Sequence, residues 1–366
     1  MDQSANRDKH FLALDGLRGI AIICVVVFHY GYDAQLADPL HGPASLVFTL
    51  FDFGWLGVDL FFVLSGFLIT GILLKSKGRR RGLTSFYARR ALRIFPAYYA
   101  LLTAFLVVAP LAGHPLIAES PTKHQVWLWL YGTNLIPNVN FADLGPLWTL
   151  AVEEHFYLLW PILVFSLSTQ SLRRACLLSI PIAVGARFCG LHSSFEDYTF
   201  KLVRFDSLAI GALLATYSLD STVVRRRSLL VGAASATASA IALILSRLAP
   251  ETRPSVLCFG YPIFAATFAA IIFLAAARTM NETALNVLDW APLRSVGKYS
   301  YGIYLLHLPI LRTSAWVSRA LHIYTDTLRG KLGWISVFCV LSYLLAYASW
   351  NLYERQFLRL KKYFPS

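Results

Sequence analysis

The sequence predicts an all-α fold, a polytopic transmembrane bundle of about ten spanning helices plus one short interfacial or re-entrant helix. Three observations predict it. The 366 residues are 57% hydrophobic and 14% charged, against about 45–50% and about 25% in soluble domains. The apolar residues come in blocks of roughly 17–25, the length that crosses a bilayer. Most charges fall between the blocks, which excludes an ordinary soluble domain. Residues 1–366 therefore read as one membrane domain, with its core at about 11–355 and short cytoplasmic tails at both ends.

The opening MDQSANRDKHFLALDGLRG runs into the first apolar stretch with no small-residue cleavage site after it, so the first span is expected to stay as an anchor. Spans are expected at about 16–32, 54–74, 94–112, 146–167, 175–191, 203–218, 228–246, 257–277, 300–317 and 332–352. An eleventh stretch, VWLWLYGTNLIP at 126–137, is too short to span and is rich in Trp and Tyr, which suits an interfacial or re-entrant piece.

With ten spans and a cytoplasmic N-terminus, 23 of the 33 Lys and Arg fall on the inner side and nine on the outer, while Arg187 lies within a span. The positive-inside rule then favours N-in and C-in. Counting 126–137 as a full span would invert everything after it and place Arg173, Arg174, Arg225 to Arg227 and the tail outside. The net charge of +13 is thus a topology signal and not the footprint of a nucleic-acid partner. The five cysteines are scattered, with no C-x-x-C, and read as packing groups. No metal-ligand spacing, G-x-S-x-G, P-loop or dinucleotide fingerprint occurs, and no metal is expected.

Ionisable groups inside spans are costly, so each is a candidate for function. Arg18 and His29 lie eleven residues apart, about 16 Å of rise and about 1100° of rotation, so both share one helix face. They are either a working pair or a snorkelling Arg with a hydrogen-bonded core His. Arg89, Arg90 and Arg93 precede Pro96, with Arg90 and Arg93 on one face. Their guanidinium groups suit phosphate recognition, or else mark topology or anionic lipid. Glu153, Glu154 and His155 follow one another near Trp148 and Tyr157, and at about 100° per residue at most one or two can share a site. Glu153 is favoured for it.

Ser300, Tyr304 and His307 form one polar helical stripe. Asp59 opens the second span, and Ser65 with Gly66 in its middle read mainly as close-packing residues. Arg204 and Asp206 read as a charge pair at the mouth of a span, structural or functional.

These motifs, taken in order, strongly resemble the acyltransferase-3 family of bacterial integral membrane O-acyltransferases. The resemblance rests on Arg18 and His29 in the first span, GVDLFFVLSGFLI, Arg90-x-x-Arg93 before a proline, PLWTLAVEEHFYLLWP, RFDSLAIGALLA and SYGIYLLHLPI, and covers nearly the whole chain. Two residues depart from the family pattern, Thr149 for a Ser and His155 for a Gln. Many members also carry a C-terminal extracytoplasmic hydrolase-like domain, and the chain is read as a form without it.

The resemblance implies a multi-pass protein of the bacterial cytoplasmic (inner) membrane. It implies that an acyl group, most often acetyl, moves from cytoplasmic acyl-CoA, a co-substrate and not a tightly bound cofactor, to a hydroxyl of a carbohydrate acceptor. Such a transfer needs a base, donors for the oxyanion and anchors for phosphates. The expected roles are His29 as general base, Glu153 to orient that imidazole or bind acceptor hydroxyls, and Arg90, Arg93 and Arg18 on the CoA phosphates. Trp148, Tyr157, Ser300, Tyr304, His307, Asp59, Arg204 and Asp206 are expected to bind substrate. Direct transfer and an acyl-His relay both fit. The rival reading is a proton-coupled transporter of an anionic or lipid-linked sugar, in which buried His and Glu relay protons.

Overall fold

The computed structural model describes residues 3–37, 45–111, 122–136, 141–190, 203–248, 253–311 and 327–364. Among these residues every regular element is helical. They form α1 (Gln3–Ala37), α2 (Ser45–Phe51), α3 (Leu56–Ser76), α4 (Gly82–Thr103), α5 (Thr122–Trp129), α6 (Trp148–Ser166) and α7 (Thr169–Gly190). The second half adds α8 (Phe205–Ala215), α9 (Thr222–Leu248), α10 (Arg253–Ala276), α11 (Glu282–Leu288), α12 (Ala291–Lys298), α13 (Ser300–Leu311) and α14 (Leu328–Ser349). After α14 a π-turn (Trp350–Glu354) leads into short helical turns that end at Tyr363.

Six described segments are long and apolar enough to cross a membrane: Leu12–Tyr32, Leu46–Ser76, Gly82–Leu111, Thr222–Leu248, Ser255–Ala276 and Leu328–Tyr363. Helices α6 and α7 are long enough at 19 and 22 residues, but Glu153, Glu154 and His155 in one and Arg173, Arg174 and Arg187 in the other lower their hydropathy. The expected third span starts too late, because its helix already begins at Gly82. The expected span at 203–218 is an 11-residue helix, about 16 Å long and so about half a bilayer. The stretch at 126–137 begins with the last four residues of the helix Thr122–Trp129 and continues as turns through residue 136. The ends of expected segments at 112, 137, 191 and 312–317, and Lys201, Arg312 and Arg319 of the outer charge count, lie outside the described residues.

Two helices organise the bundle. Helix α1 packs against α3, α10, α11, α12, α13 and α14, and α3 packs against α1, α4, α6, α8 and α10. Small residues make the closest crossings. A Cβ on Gly66 of α3 would strike the carbonyl of Leu208 in α8, and one on Gly211 of α8 would strike the carbonyl of Val63 in α3. The two backbones therefore touch, as in small-residue membrane crossings. In contrast, α9 packs on α10 and turns Leu229, Leu230, Val231, Ile241 and Ile244 outwards, as a lipid-facing helix does.

Basic side chains cap three helix C-termini, where unpaired carbonyls gather. Lys77 Nζ donates to the carbonyls of Val164 (2.7 Å) and Leu167 (2.5 Å) at the end of α6. Arg173 donates to the carbonyl of Thr216 at 2.6 Å beyond α8. Lys331, counted from sequence as an outer-side loop charge, is instead fully buried and donates to the carbonyl of Ala34 in the last turn of α1 at 2.5 Å.

Substituting Gly66→Val should separate α3 from α8 and cost about 1–3 kcal/mol of stability. Gly185→Ala, where a Cβ meets nothing within 4 Å, should leave it unchanged. Thermal unfolding of the two variants in detergent checks the contrast.

Candidate active site

A cleft enclosing about 810 Å³, open mouth included, lies among α1, α3, α4, α6 and α13, within the size range of small-molecule sites. Arg18 of α1, Arg90 and Arg93 of α4, Ser65 of α3, Glu153, Glu154 and Tyr157 of α6, and Ser300 and Tyr304 of α13 line it. Each residue reaches the cleft because helical periodicity brings it to one face. Arg90 and Arg93 are three apart on α4, and Ser300 and Tyr304 four apart on α13.

The cleft holds a polar chain at its centre. Tyr157 Oη donates to Ser65 Oγ at 3.1 Å, and Ser65 Oγ donates to Glu153 Oε1 at 2.7 Å. The Arg90 guanidinium lies over the Tyr157 ring, 4.9 Å from its centroid. Opposite, Thr149 Oγ1 and Tyr304 Oη lie 2.6 Å apart, and Tyr304 donates to the carbonyl of Pro146 at 2.7 Å. Arg18 pairs with Asp15 at 2.9 Å. Among the described residues no ion pair or hydrogen bond engages Arg90 or Arg93, although Glu153 and Glu154 line the same cleft and act on Arg90 at longer range.

His29 does not line the cleft. Its ring lies 5.0 Å from that of His307, and the His307 ring lies 5.5 Å from that of Tyr304, which does line it. His307 continues the α13 wall beyond Tyr304 and meets His29 of α1. His29 Nδ1 meets the carbonyl of Val25 at 2.9 Å and His307 Nδ1 that of Tyr304 at 2.7 Å. A carbonyl only accepts, so both Nδ1 atoms carry the proton and both Nε2 atoms carry a lone pair. His307 Nε2 is buried with no hydrogen-bond partner. The imidazole of His29 is thus oriented by its own helix and not by Glu153, whose carboxylate is engaged by Ser65.

A second polar centre lies outside the cleft. Arg204 and Asp206, expected as a pair, do not bond each other, because residues two apart at a helix start point about 200° apart. Arg204 pairs with Asp59 of α3 at 2.7 Å, and Asp206 pairs with Arg187 of α7 at 2.5 Å. Ser207 Oγ also donates to Asp59 at 2.9 Å, and Arg187 donates to the carbonyls of Val203 and Cys258. The Tyr261 ring of α10 stacks under Arg204, 3.8 Å from its guanidinium carbon, and Trp148 lies 5.9 Å away on another side. Asp59, Asp206 and Arg187 are wholly buried. This network ties α3, α7, α8 and α10 together, and four of the residues expected to bind substrate, Asp59, Trp148, Arg204 and Asp206, belong to it.

The remaining expected residues divide as follows. Glu153 and Glu154 both line the cleft, while His155 turns towards Asn134 Nδ2 at 3.4 Å. Ser65 and Gly66, read together as packing residues, separate: Gly66 packs on α8, whereas Ser65 bonds Glu153. Sequence reasoning missed Arg187 as a network member and Glu354, a buried acid after α14 that accepts from Ser349 Oγ at 2.9 Å. Arg187 had a legible signal, a charge alone within an apolar stretch; Glu354, among other tail charges, had none.

Comparison with known proteins matches residues 11–352 to the model of the acyltransferase domain family. The peptidoglycan O-acetyltransferase OatA of Listeria monocytogenes is 30% identical over 326 residues, covering 83% of this chain and 50% of that protein. The O-acetyltransferase OatA of Staphylococcus aureus is 27% identical over 325 residues, 83% of this chain and 51% of its own length. The chain thus spans about half the length of the curated relatives it matches. No solved structure matches.

Removing one partner of a buried ion pair strands the other. Arg187→Leu should therefore destabilise the protein by about 3–5 kcal/mol, and the double variant Arg187→Leu with Asp206→Leu should recover most of the loss. Comparing melting temperatures of the single and double variants checks this.

Proposed function

The chain belongs to the acyltransferase family whose domain it matches over residues 11–352, and from that premise we propose that it is an integral membrane O-acetyltransferase acting on a carbohydrate hydroxyl of the peptidoglycan kind. The names of its relatives support both the acetyl group and the acceptor class. Acyl-CoA is the donor, and it enters from the cytoplasm. Both termini on the inside of the bacterial inner membrane, with ten membrane segments of which α8 by itself reaches about halfway, is the topology that the charge distribution supports.

One observation carries the reading: a cleft with two unpaired guanidinium groups, Arg90 and Arg93, adjoins through Tyr304 a histidine pair with free Nε2 lone pairs. Arg90 and Arg93, with Arg18, take the phosphates of CoA, since planar guanidinium forks suit phosphate oxygens. The pantetheine arm passes Ser65, Glu153 and Tyr304 towards His29. As the acceptor oxygen attacks the thioester carbonyl, His29 Nε2 takes the hydroxyl proton. The carbon–sulfur bond then breaks, and the same proton passes to the thiolate, so CoA leaves as the thiol. The Val25 carbonyl on Nδ1 fixes the tautomer that leaves Nε2 basic. A proton-coupled carrier has only the buried ionisable groups in its favour, and acyl transfer uses those as well.

His29→Ala should lower acetyl transfer by about 10²-fold or more with the melting temperature unchanged. Release of CoA and labelling of a glycan fragment by labelled acetyl-CoA read this out, and full transfer in the variant removes His29 from the chemistry. Arg90→Ala and Arg93→Ala should each raise KM for acetyl-CoA about tenfold, with a smaller change in kcat. An unaltered KM in both would contradict the phosphate assignment.

A further inference from the structure

The segment after α14 folds back onto α4, a helix that lines the cleft. After α14 the π-turn and the helical turns Arg355–Leu358 and Arg359–Tyr363 pack against α4, the helix that carries Arg89, Arg90 and Arg93. Arg89 Nη1 donates to the carbonyl of Phe364 at 3.3 Å, which fastens the last described residue to that helix. Four cations lie on these turns. Arg355, Arg359 and Lys362 are exposed, whereas Lys361 is half-buried, and the charges that act on it are Arg93, Arg90 and Arg89.

Lys361, Arg90 and Arg93 share one property: no described residue forms an ion pair or hydrogen bond with any of them. The acid of the same segment, Glu354, is engaged by Ser349 and has Arg93 as its cationic neighbour. Of the acids near Arg90 and Arg93, Glu153 is engaged by Ser65 and Asp15 by Arg18, while the charges that act on Lys361 are all cations, so the arrangement has room for a ligand that brings further negative charge to this side of α4. A CoA thioester carries such charges on a pyrophosphate and, farther from the thioester, on a 3′-phosphate. If the thioester lies towards His29 and the pyrophosphate at Arg90 and Arg93, the 3′-phosphate falls beyond those arginines on α4, the helix against which the turn carrying Lys361 packs.

We propose that Lys361 completes the donor site by binding the 3′-phosphate, so that the turn at 359–363 forms its outer wall. The inference rests on the CoA-thioester reading of the donor. It makes the tail part of donor selection, because a thioester without that phosphate gains nothing from Lys361. Lysine suits the task as a point charge on a flexible stem at a solvent-facing edge.

The test measures the affinity of the full chain for CoA and for 3′-dephospho-CoA in phosphatidylcholine nanodiscs. The wild-type protein should bind CoA about tenfold more tightly, the worth of one charge-assisted contact. Lys361→Ala should weaken CoA binding about tenfold, leave 3′-dephospho-CoA unaffected and so abolish the preference; Lys361→Arg should restore it. A preference that survives Lys361→Ala, or a wild-type protein without one, overturns the assignment while Arg90→Ala still reports on the donor site. No binding of either ligand by the wild-type protein overturns the donor reading and this inference together. Adding phosphatidylglycerol separates the other source of phosphate: an effect of Lys361→Ala confined to discs that contain it assigns Lys361 to lipid and overturns the proposal.

Discussion

A charge placed in hydrocarbon finds no water, so it must meet a partner of opposite sign or a dipole, or the segment that carries it will not insert. The pairs Asp59–Arg204 and Arg187–Asp206 answer that constraint, and the rest of the bundle follows from where they lie. They fix the start of α8 against α3 and α7, an 11-residue helix too short to be held by its own length. Gly66 and Gly211 then let α3 and α8 touch along their backbones. Ser65 sits next to Gly66 on α3, and its bond to Glu153 draws α6 into the same register. The candidate site is in this sense a consequence of the ion-pair network, although none of the four charges lines the cleft.

Pairing separates the structural cations from the functional ones. Arg187, Arg204, Arg247 and Arg278 each have a carboxylate partner within 2.8 Å, and Lys77, Arg173 and Lys331 cap helix ends. Arg90, Arg93 and Lys361 have neither; the two arginines line the cleft, and Lys361 sits on a turn packed against the helix that carries them. Arg18 is intermediate, since it pairs with Asp15 and also lines the cleft. The histidines show the same division in neutral form. Each gives its Nδ1 proton to its own helix and keeps Nε2 for something that the fold does not supply.

The sequence made the all-helical membrane class legible, because apolar length and sparse charge follow directly from the bilayer. It also showed most of the cleft, since a polar residue inside an apolar block is conspicuous: Arg18, Arg90, Arg93, Glu153, Tyr157, Ser300 and Tyr304 all reached it. What it did not show was pairing across helices. Arg204 and Asp206 are neighbours in the chain and point to different partners, a fact fixed by the packing of α3 and α7. Ser65 and Gly66 are both small, and only the location of Glu153 distinguishes a hydrogen-bonding residue from a packing one. The eleven-residue spacing of Arg18 and His29 placed both on one face, but the cleft stops short of His29 and reaches it through Tyr304 and His307. Lys361 was hidden among tail charges because its role depends on the fold-back of the chain onto α4.

The central claim is that one ligand spans from the cations at the mouth to the imidazole of His29. Electron cryomicroscopy of the full chain in nanodiscs with a non-hydrolysable acetyl-CoA analogue tests it most directly. The account predicts phosphates against Arg90 and Arg93, the arm past Ser65 and Tyr304, and the acetyl carbonyl beside His29 Nε2. Density for the analogue elsewhere, or an acetyl group that ends in the cleft away from His29 and His307, would contradict it.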